Sequence, residues 1–203
     1  MICVIDYGIG NLRSAQKAFE YIGANSLLTS DATLIKQAKG LVLPGVGSFG
    51  RTMDALIKTG TCDLLKERIE AGVPFLGICI GFQMLFETSD ESPSSRGLGV
   101  LGGNVEVLSP KVKRPQMQWN QVEIERDDSI LFRNMDPSPW MYFVHSYAPS
   151  PTDPRNIVGR CNYGEDIVCA IEQENIFGVQ FHPEKSGSAG ITLLRNFVDK
   201  VSG

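Results

Sequence analysis

The sequence has 203 residues, of which 42% are hydrophobic and 21% charged, with a formal net charge of −4. This composition argues against disorder, and the lack of a basic run argues against nucleic acid as the main partner. Five cysteines without C-x-x-C spacing indicate neither a disulfide framework nor a zinc site, so no metal is expected.

The rest of the composition predicts a cytoplasmic protein of one domain, covering residues 1–203. No apolar run approaches the roughly 18 residues that a membrane span needs, so no membrane is expected as a partner. The chain starts directly on a strand pattern, and no leader segment is expected.

The first half of the chain alternates short apolar runs with amphipathic runs. Residues 2–6 predict a buried strand, and a helical spacing follows until Gly23 ends it. The turn between them, Gly8-Ile9-Gly10, resembles a dinucleotide fingerprint only loosely, because the third glycine and the later acidic residue are missing. We therefore expect a tight turn and no cofactor. The alternation predicts an α/β fold whose sheet is mainly parallel, with ligands bound beyond the carboxyl ends of its strands.

A glycine-rich loop follows the third predicted strand, at residues 41–43. Gly45, Val46 and Gly47 lie in it, and glycines leave backbone N–H groups free to face a ligand. A plain flexible loop is the alternative interpretation.

Cys79 stands between Gly77 and Gly81, after an apolar run and before a run at residues 84–87 that is typical of a helix. This spacing matches the G-x-S-x-G nucleophile elbow with cysteine in place of serine. Glycines would remove side chains that clash in so tight a strand-to-helix turn. The helix N-terminus would favour a thiolate. The alternative is a small buried cysteine with a structural role.

The second half of the chain has a different pattern of polar and apolar residues. Residues 104–108 and 121–125 alternate polar and apolar side chains, as half-exposed antiparallel strands do. Further strands are predicted at residues 141–144, 157–160, 167–171 and 176–181, followed by a C-terminal amphipathic helix. Together the two halves predict a mixed, mainly parallel open sheet flanked by helices, with a small antiparallel part in the second half.

His182 is the better placed of the two histidines to act as a base. Pro183 is expected to keep the chain after it stiff and non-helical, and Glu184 could hold the imidazole in one tautomer. The imidazole could then take the proton of Cys79 and later protonate a leaving amine. His145 has no carboxylate nearby in sequence, and it suits a substrate-lining turn or the core.

Three segments occur in order on this chain: PGVG at residues 44–47, GICIGFQ at 77–83 and FHPE at 181–184. With them the sequence resembles the class I (triad-type) glutamine amidotransferases, over essentially its whole length. Further segments at residues 6–13, 142–147 and 181–187 are most similar to the glutaminase subunits of imidazole glycerol phosphate synthases. The resemblance implies a flavodoxin-like fold and a glutaminase that needs no cofactor.

The same resemblance implies roles for individual residues. Cys79 would attack the side-chain amide of glutamine to form a thioester, with His182 as the proton carrier and Glu184 as its orienter. The oxyanion would be held by backbone N–H groups of Ile80 and the loop of Gly45, Val46 and Gly47. The side chains implied to contact glutamine are those of Gln83, His145, Ser146 and Tyr147.

In such synthases the ammonia passes to a (β/α)8 barrel cyclase subunit in a heterodimer. That subunit makes imidazole glycerol phosphate and aminoimidazole carboxamide ribotide in histidine biosynthesis. Asn11, Tyr142 and Lys185 match positions that face this partner and the ammonia route. Their alternative interpretations are a helix cap, a core aromatic residue and a solvated charge.

Two residues depart from the family pattern. Gln116 stands where a histidine is usual, and Gln118 stands where a glycine is usual, so Gln118 is expected to need backbone angles that glycine adopts more freely. The departure leaves open a paralogous glutaminase that supplies a different cyclase-like partner, for example in modification of a surface sugar. A catalytically inactive binding module is the third hypothesis, and the intact triad argues against it.

Overall fold

The structure is a computed structural model that describes residues 1–10 and 12–203. Its strands are β1 (Ile2–Ile5), β2 (Ser26–Thr29), β3 (Gly40–Leu43), β4 (Phe75–Ile78), β5 (Thr88–Ser89), β6 (Gly103–Val107), β7 (Gln116–Gln121), β8 (Glu123–Ile124), β9 (Trp140–His145), β10 (Tyr147–Pro151), β11 (Ile157–Asn162), β12 (Asp166–Gln173) and β13 (Ile176–Val179). Its helices are α1 (Leu12–Tyr21), α2 (Ala32–Gln37), α3 (Phe49–Lys58), α4 (Thr61–Glu70), α5 (Ile80–Gln83) and α6 (Gly187–Ser202), with 3-10 turns at Pro154–Asn156 and Pro183–Lys185.

The main sheet has eight strands in the order β2-β1-β3-β4-β13-β12-β11-β8. The strands from β2 to β13 pair in parallel, and those from β13 to β8 pair antiparallel. Smaller sheets are formed by β10-β6-β5 and by β7-β9. This architecture confirms the predicted mixed, mainly parallel sheet with an antiparallel part in the second half.

Two apolar layers cover the faces of the main sheet, because successive strand residues point to opposite sides. Ile2 and Val4 of β1 face the layer beneath α1 and α6. Cys3 and Ile5 face the layer beneath α2, α3 and α4. Burial on both faces explains why the parallel strands are continuous apolar runs rather than alternating ones.

The prediction of a helix at residues 84–87 is wrong. The helix after Cys79, α5, is a single turn that ends at Gln83. The backbone carbonyls that a longer helix would use accept other hydrogen bonds, from Leu98 N to Met84 O at 2.7 Å and from Gly97 N to Glu87 O at 3.0 Å. Because a macrodipole sums aligned peptides, one turn supplies little of the positive potential expected at the cysteine.

Three further expectations need correction. Gln118 lies in the extended strand β7 opposite Phe143 and is not among the residues with positive φ, so glycine-like angles are not required there. The chain after His182 is not free of helix, because Pro183 begins a 3-10 turn. The alternating run at residues 121–125 is divided between β7 and the short β8. Within the described residues, no helix combines the length and apolar character needed to cross a membrane.

Candidate active site

The backbone at Cys79 has a positive φ of 54° with a ψ of −110°, in the turn between β4 and α5. A Cβ at Gly77 would stand 2.7 Å from the Gly81 carbonyl oxygen, and one at Gly81 would overlap the carbonyl of Leu43. Cys79 N donates to Val179 O at 2.8 Å, which ties the turn to β13. Both glycines are therefore needed for close backbone approach, and positive φ on a non-glycine residue is the strained geometry of a nucleophile elbow.

A cavity of about 270 Å³ opens beside Cys79. Its described lining includes seven of the predicted site residues besides the cysteine, namely Val46, Gly47, Ile80, Gln83, His145, Ser146 and Tyr147, together with Glu91, Pro115 and Val144. Three larger surface clefts, of about 570, 590 and 610 Å³, contain neither the cysteine nor a histidine among their described lining residues. The small cavity is therefore the candidate substrate site.

His182 and Glu184 form a buried pair in which Nδ1 of the imidazole lies 2.8 Å from Oε1 of the carboxylate. The turn that holds them is fixed to β9: His182 N donates to Tyr142 O at 2.9 Å, and Ser186 Oγ donates to His182 O at 2.6 Å while accepting from Tyr142 N. With Nδ1–H engaged by the carboxylate, the other ring nitrogen, Nε2, is left for the cysteine.

The pKa of His182 is raised to about 10. Burial by itself lowers this pKa, but hydrogen bonding to Cys79 and Glu184 and the negative charges of both groups outweigh it. Within the described chain Nε2 makes no hydrogen bond of ordinary geometry, so the effect of the sulfur on the ring does not require a fully formed bond. The imidazole is thus a cation at neutral pH when the thiol is ionised.

His145, in contrast to His182, is neutral at neutral pH. Its pKa is lowered to about 4, mainly by burial and further by the positive charge of His182, with the Tyr147 carbonyl acting in the other direction. The neutral ring donates from Nδ1 to Tyr147 O at 2.9 Å. Its Nε2 is buried without a partner among the described residues, and it is a hydrogen-bond acceptor on a residue that lines the cavity.

The predicted donor loop lies against the elbow, but its residues are not equivalent. Val46 and Gly47 line the cavity with Ile80, and in the described part of the chain no acceptor is paired with their three N–H groups. Gly45 is buried instead beneath Tyr7, whose hydroxyl donates to Pro44 O at 3.0 Å. Burial first, and then the charge of a Cys79 thiolate, raise the pKa of Tyr7, so this phenol stays a neutral donor.

The side chains of Gln83 and Gln180 connect the turn at Cys79 to β10 and to the segment that follows β13. Nε2 of Gln83 donates to Tyr147 O at 3.0 Å and to Oε1 of Gln180 at 3.0 Å, and Nε2 of Gln180 points at Sγ of Cys79 at 3.7 Å. The predicted contact of Gln83 with glutamine therefore cannot use its amide N–H groups without breaking these bonds. Sequence reasoning missed Gln180, although a glutamine inside the apolar run 176–181 was a usable signal.

Glu91 was missed as well, and its polar loop offered no signal. Its Oε2 accepts from Phe49 N at 2.7 Å, at the first residue of α3. It is the acidic side chain among the described residues that line the cavity. The structure therefore brings a fixed negative charge to the site.

Tyr142 and Lys185, two of the predicted partner-facing residues, are not among the residues that line the cavity. The ammonium of Lys185 sits 6.0 Å from the centre of the Tyr142 ring, and the Trp119 ring lies 6.1 Å from Tyr142 in an edge-on contact. Asn11 lies outside the described residues. Among the residues described, no group of three or more acidic, histidine or cysteine side chains could hold a metal ion.

Comparison with known proteins gives a consistent result. A family model described as glutamine amidotransferase class-I matches residues 3–201. The chain is 48% identical over 201 residues to imidazole glycerol phosphate synthase subunit HisH of Methanothermobacter thermautotrophicus, with 99% of each chain covered. It is 43% identical to the subunit of the same name from Caldanaerobacter subterraneus, with 99% of this chain and 98% of the relative covered.

Solved structures agree at the level of the fold. A structure described as a glutamine amidotransferase superposes with a TM-score of 0.78 at 20% identity, covering 100% of both chains. PurLQS from Thermotoga maritima superposes with a TM-score of 0.75 at 21% identity, covering 98% of this chain and 97% of the other.

Proposed function

Because this chain belongs to the class I glutamine amidotransferase family, we propose that it is the glutaminase subunit of an imidazole glycerol phosphate synthase. It hydrolyses glutamine to glutamate and ammonia, and the ammonia is used by a separate cyclase subunit. Relatives named as HisH subunits over the full chain support this assignment. The observation that carries the chemistry is Cys79 on a strained elbow, opposite a cationic His182 that is bonded to Glu184.

In the first half of the reaction the Cys79 thiolate attacks the side-chain amide carbon of glutamine. Negative charge develops on the amide oxygen, where N–H groups of Ile80, Val46 and Gly47 are available to receive it. Each preorganised donor of this kind contributes about 3 kcal/mol to lowering the barrier. His182 gives its proton to the amide nitrogen, ammonia leaves, and a γ-glutamyl thioester remains on the sulfur.

In the second half water attacks the thioester carbonyl. His182, now neutral, takes a proton from this water, and the carbon–sulfur bond breaks with its electron pair returning to Sγ. Glutamate leaves, and the thiolate and imidazolium are restored. Glu184 touches no reacting atom; it keeps Nδ1 protonated and stabilises the charged ring in both halves.

The lining of the cavity fits the two ends of glutamine. The carboxylate of Glu91 complements the α-ammonium group, because a fixed opposite charge is the strongest local contact for it. The neutral His145 offers an acceptor at Nε2 that suits an N–H of the substrate. Ser146, Tyr147 and Gln83 close the cavity around these polar contacts.

The cyclase partner docks on the face that carries Tyr142 and Lys185, with Asn11 as a further contact. Large apolar side chains surround this face and are well exposed: Met117 by 65%, Trp119 by 46% and Trp140 by 53%. Aromatic and methionine side chains are enriched at protein interfaces. We propose a 1:1 heterodimer with a (β/α)8 barrel subunit in the cytoplasm, where five unpaired cysteines remain reduced.

The paralogue that serves a different acceptor is not favoured. Relatives that are 43–48% identical over nearly the whole chain carry the HisH name. Gln118 occupies an ordinary strand position, and Gln116 is fully buried rather than displayed on the partner face. Gln116 therefore offers no surface to another partner, while Gln118 is exposed in β7 beside Met117 and Trp119 of the proposed docking face.

The test combines covalent labelling with partner exchange. A glutamine-mimicking electrophile is expected to label the chain at Cys79 and not to label Cys79→Ala. Glutamate release is expected to be slow for the chain alone and faster with the cyclase subunit and its nucleotide ligand, when imidazole glycerol phosphate also appears. No adduct at Cys79 and no glutamate in the presence of the partner would rule out every glutaminase. Glutamate without imidazole glycerol phosphate would point to another acceptor.

A further inference from the structure

Gln180 is a fully buried polar residue in direct contact with the nucleophile. Its backbone N–H donates to Cys169 O at 2.9 Å, which continues the pairing of β13 with β12 for one residue. Its side-chain Nε2 lies 3.7 Å from Sγ of Cys79, within hydrogen-bonding reach of sulfur.

The orientation of the Gln180 amide follows from its neighbours. Nε2 of Gln83 can only donate, and it already donates to the Tyr147 carbonyl. The group it meets on Gln180 must therefore be the acceptor, Oε1, at 3.0 Å. The nitrogen end of the same amide then faces Cys79, so a donor rather than an acceptor is held against the sulfur.

We propose that Gln180 is a further catalytic residue, whose amide N–H donates a hydrogen bond to the Cys79 thiolate, and that Gln83 is the positioning residue that aims this amide. The proposal deepens the proposed glutaminase function and rests on it. When protonated, the sulfur has a different partner, the Val144 carbonyl at 4.0 Å. The thiol and the thiolate are therefore held by different groups.

The hydrogen bond from Gln180 to Sγ has its largest effect on the reaction when the sulfur is a leaving group. In thioester hydrolysis the carbon–sulfur bond breaks, the electron pair goes to Sγ, and the proton from the attacking water is held by His182. A donor aimed at Sγ stabilises the negative charge that returns to it. A neutral thioester sulfur is a weak hydrogen-bond acceptor. The Gln180 hydrogen bond therefore stabilises the thioester intermediate less than the departing thiolate, and it favours release of glutamate.

Other charged groups near the sulfur must be separated from this effect. His182 approaches it from the turn after β13, and Tyr7 approaches it from the loop after β1. Glu184 lies behind His182, and Glu91 and His145 line the cavity. None of them is changed when Gln180 alone is substituted, so a shift in the ionisation of the thiol is attributable to the amide.

The test measures how the alkylation rate of Cys79 by iodoacetamide depends on pH, with adducts assigned by mass spectrometry. In Gln180→Met and Gln180→Asn the midpoint of the profile is expected to rise by about one to two pH units, because hydrogen bonds to charged groups have that strength. Gln83→Met is expected to give a smaller rise. Gln116→Met is the matched control, since Gln116 is an equally buried glutamine without a partner among the described residues, and it should leave the midpoint unchanged.

Turnover gives the second readout. Both Gln180 variants are expected to accumulate the thioester and to lower kcat about tenfold or more, with a parallel fall in KM, because a slower second step leaves kcat/KM for the first step little changed. Gln180→Asn keeps a neutral amide but has a shorter side chain that withdraws the N–H from the sulfur, so it decides the question if the methionine variant does not fold. An unchanged midpoint in Gln180→Asn, or a rise matched by Gln116→Met, would overturn the proposal. Absence of glutaminase activity in the unmodified protein with its cyclase subunit would instead overturn the proposed function, while the alkylation profile would still test the contact.

Discussion

The two histidines of the molecule are both buried and both near Cys79, yet their pKa values are shifted in opposite directions. His182, in the turn after β13, has a pKa of about 10. His145, at the end of β9, has a pKa of about 4. Burial lowers the pKa of both rings, so the difference comes from the groups that each ring faces.

At His182 the ring meets a carboxylate on one side and the sulfur on the other, and both stabilise its positive charge. At His145 the one hydrogen-bonding group within the described residues is a backbone carbonyl, which accepts from the neutral ring equally well. A buried histidine is thus made a proton carrier or a neutral acceptor by the charged groups that face it. Four substitutions test this difference.

The largest effect is expected from His182→Asn. It removes the group that protonates ammonia and later takes the proton of water, and general acid–base catalysis of this kind contributes 10²–10⁴-fold. Glutamate release with the cyclase subunit present should fall by about 10³-fold or more. The matched variant is His145→Asn, which is expected to raise the KM for glutamine while leaving much of kcat. A greater loss of kcat in His145→Asn would reverse the assignment of the two rings.

Glu184→Gln should have the next largest effect, a loss of about 10²-fold in kcat. The amide keeps a hydrogen bond to Nδ1 but removes the charge that helps raise the pKa of His182. His182 should then lose its proton at lower pH, so the alkaline limit of activity should move down from near pH 10. The measurement is kcat for glutamine as a function of pH with saturating partner. An alkaline limit that does not move would show that Glu184 has no electrostatic role.

The stability of the fold should depend on pH in opposite directions at the two rings. The folded-state pKa of His145 lies below its usual 6.5, so the unfolded chain binds more protons and stability is lost as pH falls from about 6.5 to 4. For His182 the folded-state pKa is raised, so its contribution is complete below pH 6.5 and is lost as pH rises through about 10.

Urea unfolding of His145→Gln between pH 4 and pH 7 measures the first of these effects. The variant is expected to lose less stability on acidification than the unmodified protein, by about 3 kcal/mol at pH 4. His182→Gln is the control, because it should flatten the alkaline side and keep the larger part of the acid side, which burial of His145 causes, while losing the part that the charge of His182 adds. Equal acid sensitivity in His145→Gln and the unmodified chain would contradict the lowered pKa.

The elements that sequence could predict are those set by local pattern. Apolar runs ended by glycines marked the parallel strands, and the spacing around Cys79 marked the elbow, because both reflect short stretches of backbone. Gln180 could not be assigned to the sulfur in this way, since its contact joins positions 101 residues apart. Glu91 is brought to the cavity by a bond to the backbone of α3, which no residue pattern in its own loop encodes.

The error at residues 84–87 has the same origin. The apolar content there suited a helix, but the chain at residues 97–101 returns to donate to the same carbonyls, and Gly97 passes so close to Phe86 that no side chain would fit. Hydrogen bonding from a distant segment therefore overrode local propensity. The opposite pKa shifts of the two histidines could not be predicted from the sequence either, because they depend on which buried side chains face each ring.

The smallest effect is expected from placing a carboxylate beside His145, as Glu184 is placed beside His182. Gln116 on β7 pairs directly with His145 on β9, and side chains directly opposite in antiparallel strands have Cβ atoms about 5 Å apart. Both amide atoms of Gln116 are buried without partners in the described part of the chain. Gln116→Glu would place a carboxylate there and should raise the pKa of His145 by about one unit, or about 1.4 kcal/mol.

The measurement is an NMR titration of the two imidazole rings. Gln116→Met is the control, because it removes the same amide without adding charge and should leave the pKa of His145 at about 4. A pKa that rises in the glutamate variant alone would show that one carboxylate converts a neutral acceptor toward a proton carrier. A pKa unchanged in both variants would mean that burial holds His145 neutral whatever faces it.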